Sequence, residues 1–306
     1  MSQPGWDGLS NEAKAQAEGQ FRLFLVQGLA ALGASIALGY TARNYRLSRR
    51  GQVTDRLIKA LERLSSDDEH IRLGGVLALE QVVHDAPDQA IHISQILSAF
   101  LRKHAPKVRR ASLSNEGVLV THAPNLDPLP STPAPDVQAA LTVLTHRKLH
   151  QRRSVGPVDF LELPFKVDLS GLHLHGARFT DAWLPMARFD GSDLAGARFD
   201  RALLTGASFP EANLSGAHFE GAKSTLSIDF KGANLSGAVF AHADLRAFFG
   251  GATLTGSFLY LSKLRNAREL AVEQVLSANS AWGAHLPPDI ADDLRVQGRV
   301  RRTDLD

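Results

Sequence analysis

Residues 187–219 read ARFDGSDLAGARFDRALLTGASFPEANLSGAHF, and one short pattern is written through them with a period of five. A small residue (Ala187, Ser192, Ala197, Ala202, Ala207, Ala212, Ala217) is followed two positions on by Phe or Leu (Phe189, Leu194, Phe199, Leu204, Phe209, Leu214, Phe219). Two further residues, mostly polar or glycine, complete each unit. A period of five fits neither the 3.6-residue helix nor the alternating strand, so it belongs to a repeat in which one unit alone cannot bury its apolar side.

Outward from this stretch the pattern runs from Val167 to about Asn266, with Leu174, Phe179 and Leu184 before it and Phe230, Leu235, Phe240 and Leu245 after it. Because Phe and Leu alternate, a coil of four units returns to its start after twenty residues. Phe179, Phe199 and Phe219 then form one interior column and Phe189 and Phe209 the opposite one, with leucines in the other two. The register gains a residue between Phe219 and Phe230 and loses one between Leu245 and Phe249, and Ser224 occupies a Leu slot. Leu169 to Leu264 makes twenty units, or five coils, about 24 Å long at a spacing of about 4.8 Å.

Ala212-Asn213-Leu214-Ser215-Gly216, Ala233-Asn234-Leu235-Ser236-Gly237 and Ala243-Asp244-Leu245 resemble the A-(D/N)-L-x-x consensus of the pentapeptide-repeat family. The resemblance implies a right-handed quadrilateral β-helix over 158–266. It also implies one possible role, since some family members imitate the size and charge of DNA and protect the type II topoisomerase gyrase. Such mimicry needs a carboxylate-rich surface. From Val167 to Arg265 there are nine acids and nine bases, with Arg178 and Arg198 stacked on one face, so the surface is neutral and the mimic reading is disfavoured. The bases are interspersed with acids and exposed aromatics are few, so no nucleic-acid partner is expected either.

The chain has 306 residues, room for two domains, and a net charge of +2 that supports no bulk argument for nucleic acid. The absence of cysteine excludes disulfides and thiolate metal sites. Residues 1–20 are a polar lead-in with Trp6 as its apolar anchor. Leu23 to Tyr40 then holds eighteen residues without a charge, the length of a single bilayer span, placed at 21–41. A core or partner-binding helix is the alternative; a cleaved signal is disfavoured because the basic residues follow the apolar run. Those residues, Arg43, Arg46, Arg49 and Arg50, place the rest of the chain in the cytoplasm by the positive-inside rule and favour anionic lipid. Ala31, Ser35 and Gly39 share one face, on which two spans could approach.

Residues 42–105 read as a small helical domain of three helices: one around Val53, Leu57, Leu61 and Leu64, a second opened by Ser66-Asp67-Asp68-Glu69 with Ile71, Leu73, Val76, Leu77, Leu79 and Val82 as its apolar residues, and a third from Ile91 to Leu101. The second resembles an armadillo or HEAT-like unit. The order GQVTDRLIKALERL (51–64), IRLGGVLALEQV (71–82), ILSAFLRKHAP (96–106), then repeats, resembles membrane-anchored pentapeptide-repeat proteins of actinobacterial type, which implies an architecture but no chemistry. Residues 106–135 contain six prolines and read as a flexible linker. Residues 136–153 read as a helix covering the first coil, and 267–306 as a second capping helix with a loosely ordered tail, because open solenoid ends expose unpaired backbone.

No catalytic motif is present: there is no P-loop, no dinucleotide fingerprint and no nucleophile elbow. His146 and His150 sit among Arg147, Lys148, Arg152 and Arg153, which oppose a cation, and His173 and His175 alternate along a wall and are expected to point apart. Asp168, Asp193, Asp229 and Asp244 fill the slot before the central apolar residue, where local backbone hydrogen bonding accounts for them. No cofactor or metal is expected. The reading is therefore a non-enzymatic, membrane-anchored scaffold for a protein partner, of undetermined oligomeric state. Its candidate partner surface is Arg178 and Arg198 on the stacked face, with Ser224, Gly250 and Gly251 at the two irregular places.

Overall fold

The structure is a computed structural model that describes residues 11–108, 112–113, 119–120, 129–146, 166–293, 295–296 and 300. The first ten residues of the lead-in with Trp6, most of the 106–135 linker, the basic tract from Arg147 to Arg153 with His150, and Arg299, Arg301 and Arg302 lie outside the described residues, while 11–20 are helical. The chain divides into two compact units, 1–56 and 57–306.

The first unit is helical, the larger part of α1 (Asn11–Leu64). Within it Glu18–Tyr45 is long and apolar enough to cross a membrane and is wholly exposed. Its 28 residues rise about 42 Å, against a hydrocarbon core of about 30 Å. Ser35 and Thr41 donate their hydroxyls to the carbonyls of Ala31 and Ala37 one turn back, at 2.9 and 2.8 Å. Their polar atoms are thereby satisfied inside the helix, as a lipid environment demands. The helix expected around Val53 to Leu64 is not separate but the end of α1, since no Gly or Pro pair interrupts the run between Tyr40 and Leu64.

In the second unit α2 (Glu69–Asp85) starts at Asp68, whose carboxylate accepts the amides of His70 and Ile71 at 2.8 and 3.3 Å. A 3₁₀ turn, Pro87–Gln89, leads to α3 (Ala90–His104). Helix α4 (Pro135–Leu144) packs on both α2 and α3. Val76, Leu79, Ile93, Leu97, Leu101, Leu141 and Leu144 form their shared core. Ile71 and Leu77, read from the sequence as part of this apolar face, are instead about half exposed. Arg72 donates to the fully buried Asp136 carboxylate at 2.6 Å, tying the start of α2 to the start of α4. A short antiparallel pair, β1 (Ser112–Leu113) and β2 (Leu119–Val120), lies between α3 and α4 in the chain.

From Val167 the backbone winds as a parallel β-helix with four walls. Successive coils pair at intervals of twenty: Asp168 with Arg188 and Ser208, His173 with Asp193 and Asn213, Arg178 with Arg198 and His218, Trp183 with Leu203 and Lys223. Each wall supplies a pair of backbone hydrogen bonds per coil, as where Phe179 donates to Arg198 at 2.7 Å and Arg198 to Ala177 at 2.9 Å. The Phe columns are as the period demands: Phe179, Phe199, Phe219 and Phe240 stack at 4.9–5.0 Å, and Phe189, Phe209, Phe230 and Phe249 at 4.7–5.5 Å. The two columns meet edge to face inside the solenoid, at 5.6–6.4 Å. Leu174, Leu184, Leu194, Leu204, Leu214, Leu235 and Leu245 fill the remaining interior, and the residues two positions before them, alanine except for Leu172 and Ser192, are buried because the walls turn inward there.

The corners require a left-handed backbone. At most of them glycine supplies it, but Asp181, Met186, Arg201, Glu211, His242, Leu261 and Glu269 also hold φ of 51–57°, a strain of about 1–3 kcal/mol each that the surrounding ladder must offset.

Both ends are closed. The linker's first residues are not free: Lys107 bridges Leu172, the Pro106 carbonyl accepts the His173 amide at 2.7 Å, and Val108 donates to Gly171 at 2.9 Å. Gln138 of α4 takes both backbone groups of Arg178 at 2.9 Å, and the Thr145 carbonyl accepts the Trp183 amide. The edge of the first coil thus finds partners from two different segments, which satisfies backbone groups that would otherwise template aggregation.

At the other end the ladders pass beyond Leu264, through Ser280 and His285. Helix α5 (Val272–Ser277) replaces one wall of this last turn, and its Gln274 side chain donates to the carbonyls of Phe249 and Ala252 at 2.9 and 2.7 Å. The expectation of a loose tail after α5 is corrected up to Val296: Leu286, Ile290 of α6 (Pro288–Ala291) and Val296 are buried. Prolines 287 and 288 start a packed helix here rather than end order.

Candidate functional site

The candidate residues fall on different parts of the solenoid. Arg178 and Arg198 are bridged neighbours on the third wall and both are exposed, as their spacing of twenty implies. Arg198 is engaged with the buried Asp200 at 2.9 Å. Ser224 lies at the corner between the fourth and first walls, whereas Gly250 and Gly251 lie at the corner after the first. The structure therefore does not bring the five together. Gly251 has a local reason to be glycine, its φ of 67°, whereas a Cβ at Gly250 would meet only the movable end of the Glu269 side chain. Of the flanking arginines, Arg43 is exposed, and the side chains of Arg46, Arg49 and Arg50 lie outside the described residues.

The register defects, by contrast, stack on each other. Regular coils place four residues between the bridges of the fourth and first walls, as from Leu203 to Ser208. The third coil has five between Lys223 and Asp229, and the next only three between Asp244 and Phe248. The long corner lies against the short one, so that β3 (Ile228–Asp229) and β4 (Ala247–Phe248) pair in parallel and the stack resumes its period. Ser224 has a role in this: its hydroxyl accepts the Arg246 amide at 2.9 Å. A leucine in that slot has no acceptor to offer. Ile228 takes a slot that alanine holds in other coils and is fully buried, so apolar volume withdrawn at Ser224 returns four residues later.

An open cavity of about 440 Å³ sits at this corner, with Lys223, Asp244, Arg246, Lys263 and Arg265 among its lining residues. Sequence reasoning marked Ser224 and the irregular stretches but missed these cations. The signal was present, because with the 21- and 19-residue steps allowed, Lys223, Asp244 and Lys263 fall on one ladder.

Elsewhere several charges are paired. Arg188 pairs with Asp190, and Arg201 with Asp181 one coil below at 2.7 Å. The Arg201 guanidinium beside it holds the Asp181 carboxyl below the usual carboxylate range. Asp168, Asp193 and Asp229 accept the amides two residues on at 3.1, 3.3 and 2.9 Å, as do Asn213 and Asn234 at 3.3 and 3.1 Å, so this slot closes local turns. His173 is buried, its Nδ1 2.7 Å from Asp193 and its Nε2 2.8 Å from the Pro130 carbonyl, while the half-buried His175 ring lies 6.1 Å from it. Among the described residues no three His, Asp or Glu side chains converge on a metal position.

The family model for pentapeptide repeats matches residues 186–221 and 228–268, in eight copies. Residues 186–221 and 228–268 are pentapeptide repeats, and the same backbone ladder begins at Asp168. The gap in the match, 222–227, contains most of the long corner. Similar solved structures include a pentapeptide repeat protein from the Arabidopsis thaliana thylakoid lumen, 26% identical over 38% of this chain and 81% of that one, with a TM-score of 0.20. A pentapeptide repeat protein from Nostoc is 28% identical over 40% of this chain and 85% of its own, with a TM-score of 0.21. QnrB1, a plasmid-mediated fluoroquinolone resistance protein, is 20% identical over 44% and 75%, with a TM-score of 0.20. No curated protein matches the chain.

Proposed function

We propose that this pentapeptide-repeat protein is a non-catalytic interaction scaffold, anchored in a membrane by Glu18–Tyr45 and presenting the sides of its β-helix to a protein partner in the cytoplasm. The observation that carries the reading is the closure of the solenoid at both ends, by Pro106–Val108 with α4 and by α5. With its ends occupied, the repeat offers its lateral walls, rigid because interior columns and backbone ladders hold every coil. The wholly exposed apolar segment supports the anchor, and Arg43 with its neighbours on the following flank supports the cytoplasmic orientation. A DNA mimic for a topoisomerase is the competing reading. It is weakened because Asp181 and Asp190, among the carboxylates it would display, are paired with Arg201 and Arg188.

Cross-linking and affinity isolation from native membranes tests the proposal. The chain is expected in the carbonate-resistant membrane fraction, with a cross-linked partner that is lost when exposed wall residues such as Arg178 and Arg198 are replaced together. Recovery in the soluble fraction, or inhibition of gyrase supercoiling by the purified chain without a membrane partner, would replace this reading with the other.

A further inference from the structure

The corner where the long and short turns stack differs from the rest of the repeat in charge as well as in shape. Four of the nine basic residues between Val167 and Arg265 gather at its cavity: Lys223, Arg246, Lys263 and Arg265. The lining offers a single carboxylate, Asp244, which stands 3.6 Å from Lys263. Among the described residues Lys223, Arg246 and Arg265 make no ion pair; Arg178 and Lys231 elsewhere on the repeat also make none but stand apart from each other, while Arg188, Arg198 and Arg201 each have one. An adjoining cavity of about 350 Å³ shares Arg246 and adds Arg268. Like charges held together raise the energy of the free state, and a ligand of opposite charge removes that cost.

The chemistry of the lining narrows the ligand. Two guanidinium groups offer paired N–H donors matched to the oxygens of a phosphate, and two ammonium groups add charge without a fixed direction. The volume of about 440 Å³ falls within the range of about 300–1,000 Å³ of small-molecule sites. Four cations against one carboxylate leave an excess of three positive charges (4 − 1), which a di- or triphosphate matches and a single carboxylate does not. We propose that this corner binds a small, multiply charged phosphate group, carried either by a soluble molecule or by a lipid headgroup. The register shift explains why it lies here: the short corner leaves only three residues, Arg246 among them, between the bridges at Asp244 and Phe248, beside the enlarged turn of Ser224 and Thr225 with five. This site does not rest on the scaffold reading and stands or falls separately.

The test uses the full chain in zwitterionic nanodiscs and two probes, sodium tripolyphosphate in solution and vesicles containing phosphatidic acid. The expected result is saturable binding of one tripolyphosphate per chain, weakened at least tenfold by the double substitution Arg246→Gln, Arg265→Gln and by high salt. The control, Arg188→Gln with Arg201→Gln, removes the same charge from the regular walls and is expected to leave affinity within twofold. Trp fluorescence and circular dichroism confirm that each variant is folded. Vesicle binding that depends on Arg246 and Arg265, with no response to tripolyphosphate, assigns the phosphate to a lipid and upholds the site. Equal loss in both double variants would show diffuse electrostatic attraction and overturn it, as would the absence of saturable binding to either probe.

Discussion

Phe209 and Phe249 stand in the same interior column, both fully buried, yet they differ in how many rings surround them. Phe209 stacks on Phe189 at 4.7 Å and Phe230 at 5.3 Å, and meets Phe199 and Phe219 edge to face at 5.6 and 6.4 Å. Among the described residues Phe249 has only Phe230 at 5.5 Å and Phe240 at 6.3 Å. Truncation of either to alanine removes a buried ring and leaves a cavity, which costs about 3–5 kcal/mol. Each aromatic pair adds about 0.5–1.5 kcal/mol beyond burial. The two extra pairs at Phe209 therefore make Phe209→Ala about 1–3 kcal/mol more destabilising than Phe249→Ala. Denaturant unfolding of the full chain in detergent measures this, followed by tryptophan emission: Trp183 lies in the first coil and Trp282 near the last. Because coils contact only their neighbours, a central lesion is also expected to separate the two emission transitions. Equal destabilisation by the two substitutions, or a larger effect at Phe249, would refute the view that ring stacking along the columns stabilises the solenoid beyond simple burial.

The ion pair between Arg72 and Asp136 is buried, so Asp136→Ala is expected to lower stability by about 3–5 kcal/mol, read as a fall in melting temperature, with Arg72→Met, Asp136→Leu together recovering much of it. Ser224→Leu restores the regular column but strips the Arg246 amide of its acceptor; a loss of about 1–3 kcal/mol is expected, and stabilisation would show that the serine is only a tolerated slip. Burial by itself would raise the Asp168 pKa, but hydrogen bonds from Ser170 and the nearby Arg102 guanidinium hold it below the ordinary carboxyl value. Its folded pKa is depressed, so its contribution is full above a pH of about 4 and is lost as pH falls through the lower folded value; Asp168→Asn is expected to flatten the acid limb of a melting-temperature profile. A Cβ at Gly176, where φ is 65°, would stand 2.8 Å from the Ser131 carbonyl, so Gly176→Ala is expected to cost about 1–3 kcal/mol and to speed hydrogen exchange at the Arg178 and Trp183 amides.

How much of this was legible in the residues depends on whether the signal was periodic. The five-residue pattern placed the walls, the Phe columns and the buried alanines, because a solenoid repeats one local geometry and every copy states it again. Asp168, Asp193 and Asp229, before the central apolar residue, were legible for the same reason, whereas Asp244 stands 3.6 Å from Lys263 in place of closing such a turn. The helical region was less so: Val76, Leu79 and Val82 are buried as read, but Ile71 and Leu77 face outward because the partner helix α4, distant in sequence, covers only part of α2. The N-terminal closure was half visible. An amphipathic helix after 135 could be foreseen, whereas Pro106–Val108 pairs with the first coil through backbone groups that carry no sequence signature.

The sequence by itself determined that residues 167–266 coil, which side chains point inward, and that an uncharged run long enough to span a bilayer precedes them, since period and composition are local properties. Only the tertiary structure decided that the two register slips compensate by stacking, that Ser224 serves the Arg246 amide, and that four cations scattered over 43 positions share one cavity. Those facts depend on which residue of one coil lies above which residue of another, and a single inserted residue shifts that alignment for everything beyond it.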